Sequence, residues 1–368
     1  MDVITRIIIT DGISIHDYKR IAVFLTSLLF YHYVYCQDTM SVSKKLISNS
    51  AFTDCYVYKN GLAALAGNGK IYQINFPEYS FSILSSYSFV TISTDRNGLL
   101  WAVDSFSQVF TLSDTGWHRE KVIAAQRVWG ITFTQSNTLL LITDLGIYNS
   151  KTEMFYGINK YRHFSSSFFA KSRYRPACYY MDEKDKLWIS GHSRIINELH
   201  VFSAKKNHFI TSKLKGLVSL RGTKSIFGFK STIFFANLET IAGMSAIYSY
   251  QNDTMRRIHH HEYDTMRFGP PKGMEEYIGA AFFNEQDKSI YYYSNKGLFK
   301  AKYNARKNII EEPERFVPPV YTWNGYEMES DRFAMLIEKI FRYKDLIVYL
   351  NKEEGIFITD RKKIMNLR

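Results

Sequence analysis

One pattern recurs along the chain and limits what it can fold into. In each copy a polar turn leads into a short β-prone run, a second polar turn follows, and another β-prone run ends the copy. Successive copies lie between 38 and 57 residues apart. The centres of the seven first runs are Ala63, Trp101, Leu140, Trp188, Phe234, Tyr291 and Ile347. Internal periods of roughly 20 to 50 residues are typical of solenoids and propellers.

Each copy reads as a hairpin with room for two more strands before the next copy. A four-stranded propeller blade needs roughly 40 to 50 residues, which is the spacing found here. The sequence therefore predicts an all-β fold, a β-propeller of seven blades. Six or eight blades stay open because the two largest steps have room for another strand pair. A β-sandwich with chance similarity between its strands is the other alternative.

A propeller has to join its two ends. The chain stops soon after the run GIFITD, so we expect a strand from about Lys44 to Tyr58 to complete the last blade. The segment from Arg332 to Arg342 has a helical period, and we expect either a short helix or an outer strand there. The largest steps also place insertions around residues 250–280 and 305–340.

The beginning of the chain has the pattern of an export signal. Lys19 and Arg20 precede an apolar run over residues 21–36, which is shorter than the roughly 20 apolar residues that span a bilayer. We expect residues 1–36 to be a signal region cleaved before Gln37, and residues 37–368 to form a single propeller domain. The expected location is periplasmic or extracellular, without a stable membrane anchor. Lipid attachment at Cys36 is the alternative.

The mature chain would be basic, since the whole sequence has 47 Lys and Arg against 35 Asp and Glu, a formal charge of +12. The basic residues occur as short pairs, such as Lys205 with Lys206, between acidic ones, which indicates a solvated surface. For an exported protein we do not expect nucleic acid as a partner. Cys55 and Cys178 either form one disulfide or remain two buried thiols.

Four stretches carry a family resemblance, KDKLWISG at Lys184, RNGLLWAV at Arg96, NKGLFKA at Asn295 and EEGIFIT at Glu353. They resemble the two-component regulator propeller repeat, whose members form periplasmic sensor domains. The resemblance covers most of the chain from about residue 45, and the second strand of the repeat is intact in only a few copies. It implies a sensor-like propeller that passes any signal through a partner.

Two loop segments have the composition of a ligand site. Arg173 and Arg175 suit a carboxylate or an acidic sugar, while Tyr321, Trp323 and Tyr326 suit stacking against a sugar ring. Solvated or core-covering loops are the alternative for both segments. We expect a glycan or a protein as the partner, and the sequence does not indicate the oligomeric state.

The run RRIHHHEYD brings together His259, His260, His261 and Asp264, but alternation along an extended strand separates neighbouring side chains, so we expect no metal site and no cofactor. The sequence also has no nucleophile elbow, zinc-protease motif or P-loop. We therefore expect a noncatalytic binding protein. A carbohydrate-cleaving propeller, with carboxylates converging from different blades, and a purely structural propeller are the alternatives.

Overall fold

The computed structural model describes residues 44–45, 51–157, 175–192, 199–210, 222–237, 245–259, 276–311, 313–317, 319, 322–323 and 328–360. For residues 44–45, 175–177, 191–192, 322–323, 328–331 and 360, only the backbone is described. The expected signal region, residues 1–36, lies outside the described residues.

Seven antiparallel sheets form the blades of a β-propeller, which confirms the predicted fold and blade number. The strands of blades 1 to 3, from the innermost outwards, are β2 (Phe52–Tyr58), β3 (Gly61–Ala66), β4 (Ile71–Asn75), β5 (Ser80–Ile83); β6 (Phe89–Thr94), β7 (Leu100–Asp104), β8 (Gln108–Ser113), β9 (Gly116–Val122); and β10 (Val128–Phe133), β11 (Leu139–Thr143), β12 (Gly146–Asn149), β13 (Met154–Tyr156).

Blades 4 to 6 continue the same order around the ring. Their strands are β14 (Arg175–Met181), β15 (Lys186–His192), β16 (Leu199–Ser203), β17 (His208–Ile210); β18 (Thr223–Phe229), β19 (Thr232–Asn237), β20 (Ala246–Gln251), β21 (Thr254–Arg257); and β22 (Ile278–Asn284), β23 (Ser289–Ser294), β24 (Gly297–Asn304), with β25 (Ile309–Ile310) and β26 (Glu314–Val317) both pairing with β24.

Blade 7 closes the ring with strands from both ends of the described chain. Its inner three strands are β29 (Ile337–Tyr343), β30 (Leu346–Asn351) and β31 (Gly355–Asp360), and its outer strand is β1 (Lys44–Lys45). The expectation of closure by an N-terminal strand is confirmed for β1. It was wrong for the rest of the segment up to Tyr58, because β2 is instead the innermost strand of blade 1.

The segment with helical period also resolves into two elements. A short helix, α1 (Ser330–Met335), is followed by β29, so the expected helix is present, while the strand is the innermost and not an outer one. A hairpin of β27 (Thr322–Trp323) and β28 (Met328–Glu329) precedes α1. It accounts for part of the long step before the last blade without adding a blade.

The repeated turn has a common hydrogen-bond pattern. In blade 4 one carboxylate oxygen of Asp182 accepts the backbone N–H groups of Lys184 and Lys186, and the other accepts Nε1 of Trp188 at 2.9 Å. Asp95 binds Trp101 in the same way in blade 2, at 3.4 Å. The Asp therefore fixes the turn and orients the aromatic residue of the second strand, which is why the two residue types recur at this spacing.

Apolar side chains fill the spaces between blades. Among the described residues, seven separate hydrophobic clusters occur, and each combines side chains from two neighbouring blades. The cluster between blades 7 and 1 contains Phe52, Leu62, Val348 and Leu350, all fully buried. A sandwich of two sheets would instead share one core, so this distribution excludes that alternative.

The ring has two faces. On the turn face, the inner strand of each blade turns into the second strand, and in blades 1 to 6 the third strand turns into the outer one. On the loop face, the second strand connects to the third and each blade connects to the next. Within the described residues, no helix has the length and apolar character needed to cross a bilayer.

The junction between blades 7 and 1 gives a test of ring closure. Leu350→Ala removes a fully buried side chain there and should lower the free energy of unfolding by about 2–5 kcal/mol. Leu145→Ala is the matched control, because Leu145 is 48% exposed, and it should change stability by no more than about 0.5 kcal/mol. Urea unfolding of both variants measures the difference, and equal destabilisation would contradict the closure.

Candidate functional site

All seven inner strands have an irregular register near the loop face. At each irregularity, one or two residues of the inner strand have no partner in the second strand. These residues lie at corresponding positions around the central channel, and we call the set the mouth ring. A β-bulge changes the direction of a side chain and commonly occurs beside functional sites. The mouth ring consists of Thr53, Val90, Trp129, Ala177, Lys224, Gly279 with Ala280, and Glu338.

One ion pair of the mouth ring joins blades 5 and 7, which are not neighbours in the ring. Nζ of Lys224 in blade 5 lies 2.9 Å from Oε1 of Glu338 in blade 7, and the Lys224 side chain is only 11% exposed. Nζ of Lys352 lies 3.8 Å from the same carboxylate. Blade 6, between them, has Gly279 in the mouth ring, where an added Cβ would lie 2.4 Å from the carbonyl oxygen of Ala334 in α1. The glycine thus allows α1 to approach the mouth.

A second ion pair joins blades 1 and 7. Nζ of Lys339 lies 2.8 Å from Oδ1 of Asp54, and the same nitrogen lies 3.3 Å from the ring centroid of Tyr56. The backbone N–H of Cys55 also donates to Oδ1 of Asp54. Lys339 is thus held by a carboxylate and an aromatic face together, an arrangement that strengthens as water is excluded.

Two tyrosines of inner strands lie beside these ion pairs. The hydroxyl groups of Tyr56 in blade 1 and Tyr179 in blade 4 interact across the channel. The Tyr179 hydroxyl also donates to the carbonyl of Ile131 at 3.2 Å, and its ring lies against Gly130, where an added Cβ would be 2.4 Å away. Burial raises the pKa of both phenols well above their ordinary value, and Asp54 adds to the effect.

The cysteines are free thiols in the structure, so the disulfide considered from the sequence is not formed. Cys55 lies in the core between blades 7 and 1, and burial raises its pKa to about 12. Burial also raises the pKa of Cys178, with the Glu338 charge adding to it and Lys224 opposing it. Both thiols therefore stay protonated near neutral pH and are poor nucleophiles.

Of the four candidate ligands in the histidine-rich segment only His259 is described, and it lies beside a buried carboxyl group. Nε2 of His259 lies 3.1 Å from Oε2 of Glu276, and both side chains are less than 10% exposed. Burial alone would raise the pKa of Glu276, but its interactions with His259, Ser294 and Lys296 lower it below the ordinary value. Among the described residues no cluster of potential metal ligands occurs. His260, His261 and Asp264 lie outside the described residues.

The five sequence-predicted site residues are described only in part. Arg173, Tyr321 and Tyr326 lie outside the described residues. Arg175 begins β14 at the loop face, and Trp323 ends β27 next to α1, but only their backbones are described. That the side chains of these five residues contribute to a ligand site therefore stays a prediction.

Sequence reasoning missed the charged residues of the mouth. Asp54, Lys224, Glu338 and Lys339 lie near the start of inner strands, ahead of the repeated hairpins, and no short motif marks them. Their convergence follows from the ring, since Lys224 and Glu338 are 114 residues apart in the sequence. A charged residue two or three positions into three of the seven inner strands, β2, β18 and β29, is the only such signal.

No protein-family model and no curated protein matches the chain. Solved structures do match. The extracellular domain of a putative one-component system from B. thetaiotaomicron is similar, at 9% identity and a TM-score of 0.55. The match covers 87% of this chain and 40% of that chain. The extracellular domain of a putative hybrid two-component system from the same organism matches at 12% identity and a TM-score of 0.51, over 88% and 41%. The chain thus spans about two fifths of these proteins.

Virginiamycin B lyase from Staphylococcus aureus is also similar, at 11% identity and a TM-score of 0.56, over 86% of this chain and 98% of the lyase. At these identities the similarity shows a shared fold alone. The chain is therefore a seven-bladed β-propeller that resembles both sensor domains and an enzyme in architecture.

The channel tyrosines predict a loss of stability at alkaline pH. Because folding raises their pKa above about 10, the stability that their protonated form contributes is complete below pH 10 and is lost as the pH rises further. The thermal midpoint should therefore fall as the pH rises above about 10, and it should fall less in the double variant Tyr56→Phe/Tyr179→Phe. Tyr87→Phe, at a 53% exposed tyrosine, should behave like wild type. An unchanged slope in the double variant would contradict the assignment.

The thiols predict a clear result in a titration with Ellman's reagent. In a chain with Cys36→Ser, the native protein should react with the reagent only very slowly, and two thiols per chain should react in denaturant. If no thiol reacts in denaturant without reductant, Cys55 and Cys178 form a disulfide.

Proposed function

We propose that this protein is a noncatalytic, sensor-like binding propeller that receives a glycan or a protein partner at the mouth of its channel. The observation that carries the proposal is the pair of lysine–carboxylate contacts across the mouth, Lys224 with Glu338 and Lys339 with Asp54. The mouth thus presents donors and acceptors held in fixed positions by three blades.

Such a mouth suits a polar ligand. Tyr56 and Tyr179 lie beside it, while half-buried Trp129 of the mouth ring offers an apolar surface. Hydroxyl or carboxylate oxygens of a ligand can accept hydrogen bonds from the lysine Nζ groups, and ligand hydroxyl groups can donate to the carboxylates of Asp54 and Glu338. Hydrogen bonds to charged groups are the stronger ones. Arg173, Arg175, Tyr321, Trp323 and Tyr326 are proposed to add contacts from the loop face.

Two further observations support the sensor-like class. Extracellular domains of putative signalling systems share the fold, and the repeat resembles that of two-component regulator propellers. The proposal therefore includes export, with residues 1–36 as the signal region and residues 37–368 as one propeller domain outside the cytoplasm. The signal would pass through a partner protein.

A second candidate is an enzyme that cleaves carbohydrate. It is favoured by the two carboxylates, Asp54 and Glu338, which blades 1 and 7 bring to one mouth. Glycoside hydrolases use two carboxyl groups about 5–9.5 Å apart. Each carboxylate here is bound to a lysine, however, and this arrangement supports ligand positioning more directly than proton transfer.

The mouth predicts which lysine matters for binding. In a thermal-shift screen of residues 37–368 with acidic and neutral oligosaccharides, a ligand at about 100 times its Kd should stabilise the protein by about 2.7 kcal/mol. Lys224→Gln should abolish this shift. The matched control Lys121→Gln, at an ion pair with Glu153 on the outer edge of blade 2, should retain it.

The same screen separates the two candidates. A thermal shift without product formation supports the binding propeller, whereas turnover that disappears in Glu338→Gln supports the enzyme. A shift that Lys224→Gln leaves unchanged would place the ligand elsewhere and contradict the proposed site.

A further inference from the structure

Two grooves open on the turn face, opposite the mouth ring. The first lies between blades 4 and 5 and has a volume of about 240 Å³. The second lies between blades 5 and 6 and has a volume of about 560 Å³. Lys230 lines both of them, so the two grooves are neighbours on one surface.

The grooves are rich in basic side chains that make no ion pair among the described residues. They are Lys184 and Lys186 in the first groove, Lys288, Lys302 and Arg306 in the second, and Lys230 in both. All except half-buried Lys186 are exposed. Lysines elsewhere on the ring do form ion pairs, as Lys59 does with Asp114, so the lack of ion pairs is a feature of the grooves.

The carboxylates of the first groove are already committed to the fold. Asp182 accepts two backbone N–H groups of its turn and Nε1 of Trp188. Asp253 accepts the hydroxyl of Tyr250 at 2.6 Å. Neither carboxylate forms an ion pair with Lys184 or Lys186, so the positive charge of this groove is available to a ligand.

The second groove repeats this arrangement. Asp287 accepts the hydroxyl of Tyr291 at 2.7 Å and binds Lys300 at 3.1 Å. Glu311 accepts Nδ2 of Asn304 at 3.1 Å. The groove therefore keeps a surplus of basic groups over available acidic groups.

Lys230 is held on the ridge between the grooves. Its backbone φ is 54°, the left-handed conformation that closes the turn between β18 and β19, and its Nζ lies 5.3 Å from the ring centroid of Phe229. Lys288 ends the longer turn between β22 and β23 in blade 6 and is also left-handed, with a φ of 53°. The turns thus present both ammonium groups on the same face.

We propose that these grooves bind an acidic oligosaccharide, a sugar chain with carboxylate or sulfate groups, across blades 4 to 6. Unpaired ammonium and guanidinium groups attract such anions, and two adjoining grooves fit a chain better than a single small anion. Single-stranded nucleic acid is disfavoured because three of the four aromatic rings that line the grooves are buried: Trp188, Tyr250 and Tyr303 are each at most 8% exposed. The fourth, half-buried Phe229, already stacks against Phe283 at 4.3 Å. The site is separate from the mouth.

The test measures binding of a sulfated heparin oligosaccharide by calorimetry, with a neutral maltooligosaccharide of the same length for comparison. Lys230→Asn/Lys288→Asn removes two groove charges, and asparagine tolerates the left-handed conformation. We expect this double variant to weaken heparin binding about tenfold, the effect of losing about 1.4 kcal/mol. The neutral sugar should bind neither protein.

The matched control is Lys59→Asn/Lys344→Asn, which removes two lysines of the same conformation and face from blades 1 and 7. It should change heparin affinity less than about twofold, since charges beyond a Debye length are screened at physiological salt. Equal loss in both double variants would show attraction by net charge and overturn the site. So would the absence of heparin binding to the wild type.

Two further measurements complete the test. Lys302→Gln/Arg306→Gln, outside the left-handed positions, should weaken binding similarly if the first variant folds poorly. Oligothymidylate or anionic phospholipid vesicles that bind as tightly as heparin, and lose affinity in the same variants, would overturn the assignment to a glycan. An acidic oligosaccharide whose thermal shift survives Lys224→Gln but is lost in Lys230→Asn/Lys288→Asn would support the grooves and contradict the mouth, so the two proposals fail separately.

Discussion

The apolar junctions between neighbouring blades are the interaction on which the rest of the structure depends. A blade is a small twisted sheet, and a single sheet of four strands cannot bury both of its faces. Here every blade buries them against its two neighbours, and the cluster containing Phe52 and Leu350 joins the last blade to the first. Ring closure therefore completes the burial of both terminal blades, and it fixes the height and direction of each inner strand.

That fixed geometry produces two chemically different faces. At the loop face, the register shifts of the inner strands place Lys224 opposite Glu338 and Lys339 opposite Asp54, so charges from distant sequence positions neutralise each other. At the turn face, tight turns place Lys230 and Lys288 in exposed positions whose neighbouring carboxylates already have partners. A polar mouth and a basic groove surface thus follow from the same ring.

The sequence predicted the blades because each contains a local signal. The Asp182 to Trp188 spacing, for example, corresponds to a hydrogen bond that orients the second strand, and Asp95 and Trp101 repeat it in blade 2. The mouth could not be predicted, because Lys224 and Glu338 meet only after the ring has closed. Closure was predicted only in part. The closing strand β1 has two residues, too few to show an alternating pattern, so the sequence did not separate it from the longer β2 that follows.

Pairing of β1 with β31 tests the closed seven-bladed ring most directly. Lys44 lies opposite Ile358 in this pair, so Lys44→Cys/Ile358→Cys should form a disulfide in oxidising buffer, found by mass spectrometry as a linked peptide. Lys45→Cys/Ile358→Cys is one residue out of register, and its side chains point to opposite faces of the sheet, so it should not link. No linked peptide in the first variant, or equal linkage in both, would contradict the closed ring.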